Sequence, residues 1–88
     1  MVNLSGPAKR VLEAGAEVSA FLYAHPEITA RLPGRYRLVV LLLDDPEALA
    51  WALGTVGVDG EGPVVYALVQ GGQVQALLTP GGPIPLAA

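Results

Sequence analysis

The sequence predicts a small α/β protein, in the order helix, strand, helix, strand, strand, with a small three-stranded sheet that ends in a β-hairpin and is covered by an amphipathic N-terminal helix. Three observations carry this expectation. An apolar stripe at helical spacing runs through residues 7–24. A charge-free run at residues 38–43 passes directly into Asp44-Asp45-Pro46-Glu47, the pattern of a strand feeding a helix. Gly71-Gly72 then separates two apolar segments, as a two-residue hairpin turn does. The 88 residues allow one domain. It is placed at residues 1–79, with 80–88 as an extended Pro/Gly tail.

Ser5-Gly6-Pro7 reads as a helix start, because Ser caps and Pro is tolerated in the first turn. On the wheel for residues 7–24, Ala8, Val11, Leu12, Ala14, Gly15, Val18, Phe21 and Leu22 share one side. Lys9, Arg10, Glu13, Ala16, Glu17, Ala20 and Ala24 share the other. Gly15 on the apolar side costs about 1 kcal/mol against Ala, so a close backbone neighbour is expected there. Pro26 ends or kinks the helix, with one further turn at residues 26–31. Residues 36–43 form a strand, apolar on both faces from 38. A short helix follows at 46–53, closed by Gly54, with Leu49, Ala50 and Leu53 inward and Trp51 pointing away.

Residues 54–62 read as a Gly-rich acidic loop. Strands follow at 64–70 and 73–79. The two-residue turn sets Gln70 opposite Gln73, and Val69, Ala67 and Val65 opposite Val74, Ala76 and Leu78. Pro80 to Pro85 reads as an extended tail because Pro cannot donate to a ladder. If the strands at 36–43 and 64–70 are neighbours joined by the helix, they are parallel.

Composition excludes several functions. The chain has no Cys, hence no disulfide, thiolate metal site or thiol chemistry. Five basic residues face eight acidic ones, which does not make the dense basic patch of a nucleic-acid binder. All five, Lys9, Arg10, Arg31, Arg35 and Arg37, precede residue 38, and from Asp44 onward every charge is negative. That split suits a bipolar monomer whose basic half meets the acidic half of a second copy. No apolar run is long enough to span a membrane, and no signal-peptide pattern opens the chain, so the expected location is the cytoplasm.

No catalytic constellation stands out. His25, the one His, lies at a Pro-marked helix end where an imidazole near C-terminal carbonyls is ordinary. Asp44 and Asp45 follow a strand at its C-terminal end, where two carboxylates could hold Mg²⁺. The competing role for them is helix capping. Lys9 and Arg10 sit near a helix N-terminus, free to pair with Glu13 or to face an acidic partner. Trp51 is an interface anchor candidate, with Tyr66, Val56 and Val58 beside it.

Ser5-Gly6-Pro7-Ala8-Lys9 at a helix start resembles the Cys-Gly-Pro-Cys-Lys of thioredoxins. The later order also resembles that family: Leu41 to Pro46, Gly57-Val58, Gly62-Pro63, then Val64 to Val69 and Gly71-Gly72. Ser5 and Ala8 stand where the family has its cysteines, so the resemblance implies a redox-inactive, N-terminally truncated binding domain. It also implies a cis bond at Pro63, and antiparallel strands at 36–43 and 64–70 with a gap between.

The leading expectation is a non-catalytic protein that acts through protein–protein contact, by homodimerisation or with another protein, without nucleic acid, membrane or cofactor. Its interface candidates are Trp51, Tyr66, Lys9 and Arg10. The alternatives are the thioredoxin-like binding domain and a metal-assisted enzyme using Asp44 and Asp45.

Overall fold

The computed structural model describes residues 6–56 and 62–86. Helix α1 spans Gly6–Ala24, and α2 is a single turn at Pro26–Thr29. Strand β1 spans Arg37–Leu42, α3 Pro46–Thr55, β2 Val64–Gln70, β3 Gln73–Thr79 and β4 Gly82–Pro85. The α/β class holds, and the sheet has four strands rather than three, in the order β1-β2-β3-β4. The expected cap at Ser5 and the step at Gly57-Val58 lie outside the described residues.

α1 buries Ala8, Val11, Val18 and Leu22, as its stripe predicts. Leu12 departs from the stripe and is 55% exposed, because it sits at the margin of the packed face. Gly15 has no backbone pressed against it. A Cβ there would meet only Val40 Cγ2, at an ordinary 3.9 Å. The helix end is closed from α2, where the Thr29 hydroxyl donates to the Leu22 carbonyl at 2.7 Å. α3 runs past Gly54 to Thr55, and its buried residues are Ala48 and Ala52 rather than Leu53, which is 50% exposed.

β1 and β2 are neighbours and parallel, the arrangement of an adjacent β-α-β unit. The thioredoxin-like expectation required these strands to be antiparallel, and the pairing differs from it in direction. No cis peptide bond occurs among the described residues.

Gly71 and Gly72, with φ of 60° and 77°, make the hairpin turn, and Gln70 pairs with Gln73 and Val69 with Val74 as expected. Beyond them a bulge intervenes. Leu68 pairs with Ala76 and Ala67 with Leu77, so Gln75 has no register partner on β2. The expected pairs Ala67–Ala76 and Val65–Leu78 therefore do not form. One extra residue moves the following side chains to the other face, so Leu77 is fully buried and Leu78 is 37% exposed.

β4 replaces the expected tail. Leu77 pairs with Ile84 and Thr79 with Gly82. The Leu86 N–H donates to the Gln75 carbonyl at 2.9 Å, so even-numbered residues of β4 face β3. Pro83 and Pro85 then point their missing donors at solvent, the one place a strand tolerates them. The result is a continuous core row, Val40, Ala67, Leu77 and Ile84, each at most 4% exposed.

Candidate functional site

Asp45 caps α3, its carboxylate accepting from the Ala48 N–H at 3.1 Å, with Pro46 opening the helix. Ala48 and Ala52 are small and fully buried, so α3 lies close against both α1 and β1. Arg10 clasps the two helices at their N-terminal ends. Its Nε donates to Asp45 at 2.6 Å and its Nη2 to Glu47 at 2.8 Å. The Arg10 guanidinium, and after it the Ala48 N–H, hold the Asp45 carboxyl below its ordinary pKa. Arg10 is held above its own ordinary value, by Asp45 first and Glu47 second.

Past this clasp a groove of about 540 Å³ opens between the helices. Leu12, Gly15, Ala16 and Ser19 of α1 form one wall, Trp51, Ala52 and Thr55 of α3 the other. Leu38, Val39 and Val40 of β1 form its floor. None of the described lining residues is charged. Trp51, 37% exposed, and Leu12 stand at the rim. The Thr55 hydroxyl is engaged with the Ala52 carbonyl at 2.7 Å. Among the described residues the groove has no nucleophile beside a base and no ligand set for a cation. Its chemistry is apolar contact.

The remaining candidates lie elsewhere. Arg10 reaches across to α3 instead of pairing with Glu13, because α3 brings two carboxylates to its end. Lys9 is exposed on α1 and does not line the groove. Tyr66 is half-buried in β2, in register with Val39 and Leu78, and does not join Trp51. Val56 is packed against the core, and Val58 lies outside the described residues. Gly6, Pro7 and Ala8 form the first turn of α1, while Pro63 precedes β2 and its carbonyl accepts from the Arg37 N–H at 2.8 Å.

Asp44 accepts from the Gly71 N–H at 3.0 Å and latches the hairpin turn to the end of β1. Both aspartates therefore serve as backbone acceptors. Among the described residues no three His, Asp or Glu side chains gather as a metal ligand set. His25 stacks on Phe21 with ring centroids 4.2 Å apart, and its Nδ1 lies 2.8 Å from the Phe21 carbonyl. This is the helix-end role its position suggests. No helix among the described residues is long and apolar enough to cross a membrane.

The groove was only half readable from sequence. Trp51 off the inner face of its helix signals one wall. Leu12 belongs by spacing to the packed stripe, and only the placement of α3 makes it the other rim.

The family model of DUF5647, a family of unknown function, matches residues 6–80. No curated protein matches the sequence. Among solved structures, the crystal structure of the hypothetical protein TTHC002 from Thermus thermophilus is similar at 33% identity and a TM-score of 0.68. That match covers 86% of this chain and 99% of the other. The family model spans α1, β1 and α3, the elements that build the groove, and the chain belongs to the DUF5647 family.

Proposed function

We propose that the protein acts by protein–protein contact, as a homodimer, with the groove between α1 and α3 as its contact surface. The observation that carries this reading is a groove whose described lining is uncharged and whose rim holds Trp51 and Leu12, two large apolar side chains left in solvent. Such residues gain most when an interface covers them, and Trp is enriched among the anchors of interfaces. The low charge content, 15% of the chain against about a quarter in an average soluble protein, favours the same reading.

Sedimentation equilibrium tests it. The wild type is expected to sediment as a dimer at tens of micromolar. Trp51→Ser is expected to weaken association by about 2 kcal/mol or more, roughly thirtyfold. A wild type that stays monomeric at high micromolar concentration contradicts the proposal.

A further inference from the structure

We propose that the occupant of the groove is α1 of a second copy, laid antiparallel against α1 about a two-fold axis between Ala16 and Ser19, with Tyr23 as the side chain each copy inserts. This rests on the reading of the groove as a contact surface between two copies and specifies what enters it.

The exposed side chains of α1 come first. Leu12, Ala16, Ser19 and Tyr23 follow one another at spacings of four, three and four, so they form one stripe along the helix. All four are exposed, Leu12 at 55% and Tyr23 at 92%. Tyr23 makes no hydrogen bond and no ring contact among the described residues. A ring left in water by its own fold is available to a partner, and Tyr is among the residues that most often anchor interfaces.

The stripe runs beside two hollows. One is the groove already described. The other, of about 410 Å³, is lined by Ser19, Tyr23, Thr29, Tyr36 and Leu38 with Leu22. Ser19 and Leu38 belong to both, so the two join into one furrow along the flank of α1. No described residue lining either hollow is charged. Leu12 stands at the first hollow and Tyr23 at the second.

The symmetry of the stripe selects a second copy. Its middle, Ala16 and Ser19, is small enough for two helix backbones to approach closely. Its large residues lie at the ends, about 16 Å apart at the helical rise. Antiparallel pairing about the middle sets Ala16 against Ser19, and Leu12 of each copy against Tyr23 of the other. Each Tyr23 then enters the rim of the other copy's groove, and each Leu12 covers the other copy's second hollow. The stripe matches itself, as a two-fold contact requires.

Charge agrees with this direction. Lys9 lies in the first turn of α1, where a cation opposes the helix dipole, and the last turn of α1 carries no basic residue. Antiparallel pairing brings each Lys9 to the C-terminal end of the other α1, where Glu27 follows. Lys9 and Glu27 are both exposed, and neither forms an ion pair among the described residues. Glu13 and Glu17, one position beyond Leu12 and Ala16, are turned from them by about 100°. A parallel arrangement would set Lys9 against Lys9.

Tyr23→Ser tests the contact by sedimentation equilibrium, with far-UV circular dichroism as the check on folding. The side chain is almost wholly in solvent, so the fold is expected to survive and the dimer to weaken tenfold or more. Cross-linking tests the direction, since the chain has no Cys of its own. Ala16→Cys and Ser19→Cys proteins, mixed in equal amounts and oxidised, are expected to form the mixed disulfide in preference to either symmetric one. A preference for the symmetric disulfides overturns the antiparallel pairing. A wild-type dimer that Tyr23→Ser leaves undiminished overturns the α1 contact but leaves the groove reading standing, with Trp51→Ser as its own test. A monomeric wild type overturns both.

Discussion

β1 and β4 both end the sheet, and their outward backbones are handled in opposite ways. β4 presents Pro83 and Pro85 to the outside, so at two of its four positions there is no donor for a further strand. β1 carries no Pro and no charge between Leu38 and Leu42, and its outward amides lie on the floor of a groove. Unprotected edges are templates for strand addition, and proteins commonly blunt them with Pro, charge or a covering element. Pro thus blunts β4, whereas β1 has no such block in its own sequence and lies covered between the walls of α1 and α3.

The largest expected effect concerns the closed edge. Ile84 is 4% exposed and ends the core row, so Ile84→Ala is expected to cost about 2–5 kcal/mol. Urea denaturation measures it. Association of the molecules that remain folded is expected to be unchanged, because Ile84 does not line the groove between α1 and α3. A loss of association out of proportion to stability would show that β4 takes part in the contact.

Opening the closed edge is the complementary change. Replacing Pro83 and Pro85 together with Thr restores two outward donors while leaving the ladder to β3 intact. Folding stability is expected to change by about 1 kcal/mol or less, and light scattering should show new concentration-dependent assembly beyond the dimer. A double variant that assembles no further than the wild type would show that the prolines are not what blunts β4.

Smaller effects test the walls of the groove. Gly15 is helical, and a Cβ there meets only ordinary contact with Val40, so Gly15→Ala is expected to stabilise the fold by about 0.5–1 kcal/mol. A lower melting temperature would mean that α1 sits closer to β1 than these distances allow.

The clasp of Arg10 on Asp45 gives the smallest effect, and it depends on pH. The folded Asp45 carboxyl titrates below its ordinary value of 3.8. Its contribution to stability is present above that value and is lost as pH falls through the folded one. Arg10→Ala should lower the melting temperature slightly at neutral pH, and the difference from wild type should vanish in strong acid. A gap that persists there would assign the effect to packing of the Arg10 stem.

The elements of this fold were legible where local chemistry decides them. The α1 stripe, the Asp45-Pro46 start of α3 and the Gly71-Gly72 turn each declare themselves within a few residues. What escaped depends on partners distant in sequence. The bulge at Gln75 goes with a hydrogen bond from Leu86 to its carbonyl, and that bond exists only once β4 has docked. β4 itself was hidden because Pro reads as a breaker until one knows which side of the strand faces solvent. Arg10 has a local carboxylate in Glu13, and nothing in the sequence signals that Asp45 and Glu47 lie nearer.

The groove was legible in the same partial way. Trp51 was visible as a side chain without an inner face to occupy. The edge of β1 beneath it was not, because the run at residues 38–43 reads equally as a central strand covered on both sides. An apolar strand and a free edge look alike until the strand order is known.

Whether a second copy covers the groove can be read from Trp51 itself, the only Trp in the chain. Its fluorescence can be followed as the wild type is diluted from about 100 μM to about 0.1 μM, across the usual range of dimer dissociation. A red shift of the emission maximum is expected on dilution, as an indole held between two copies returns to water. A spectrum that stays constant over the whole series, with a wild type that sediments as a monomer throughout, would contradict it.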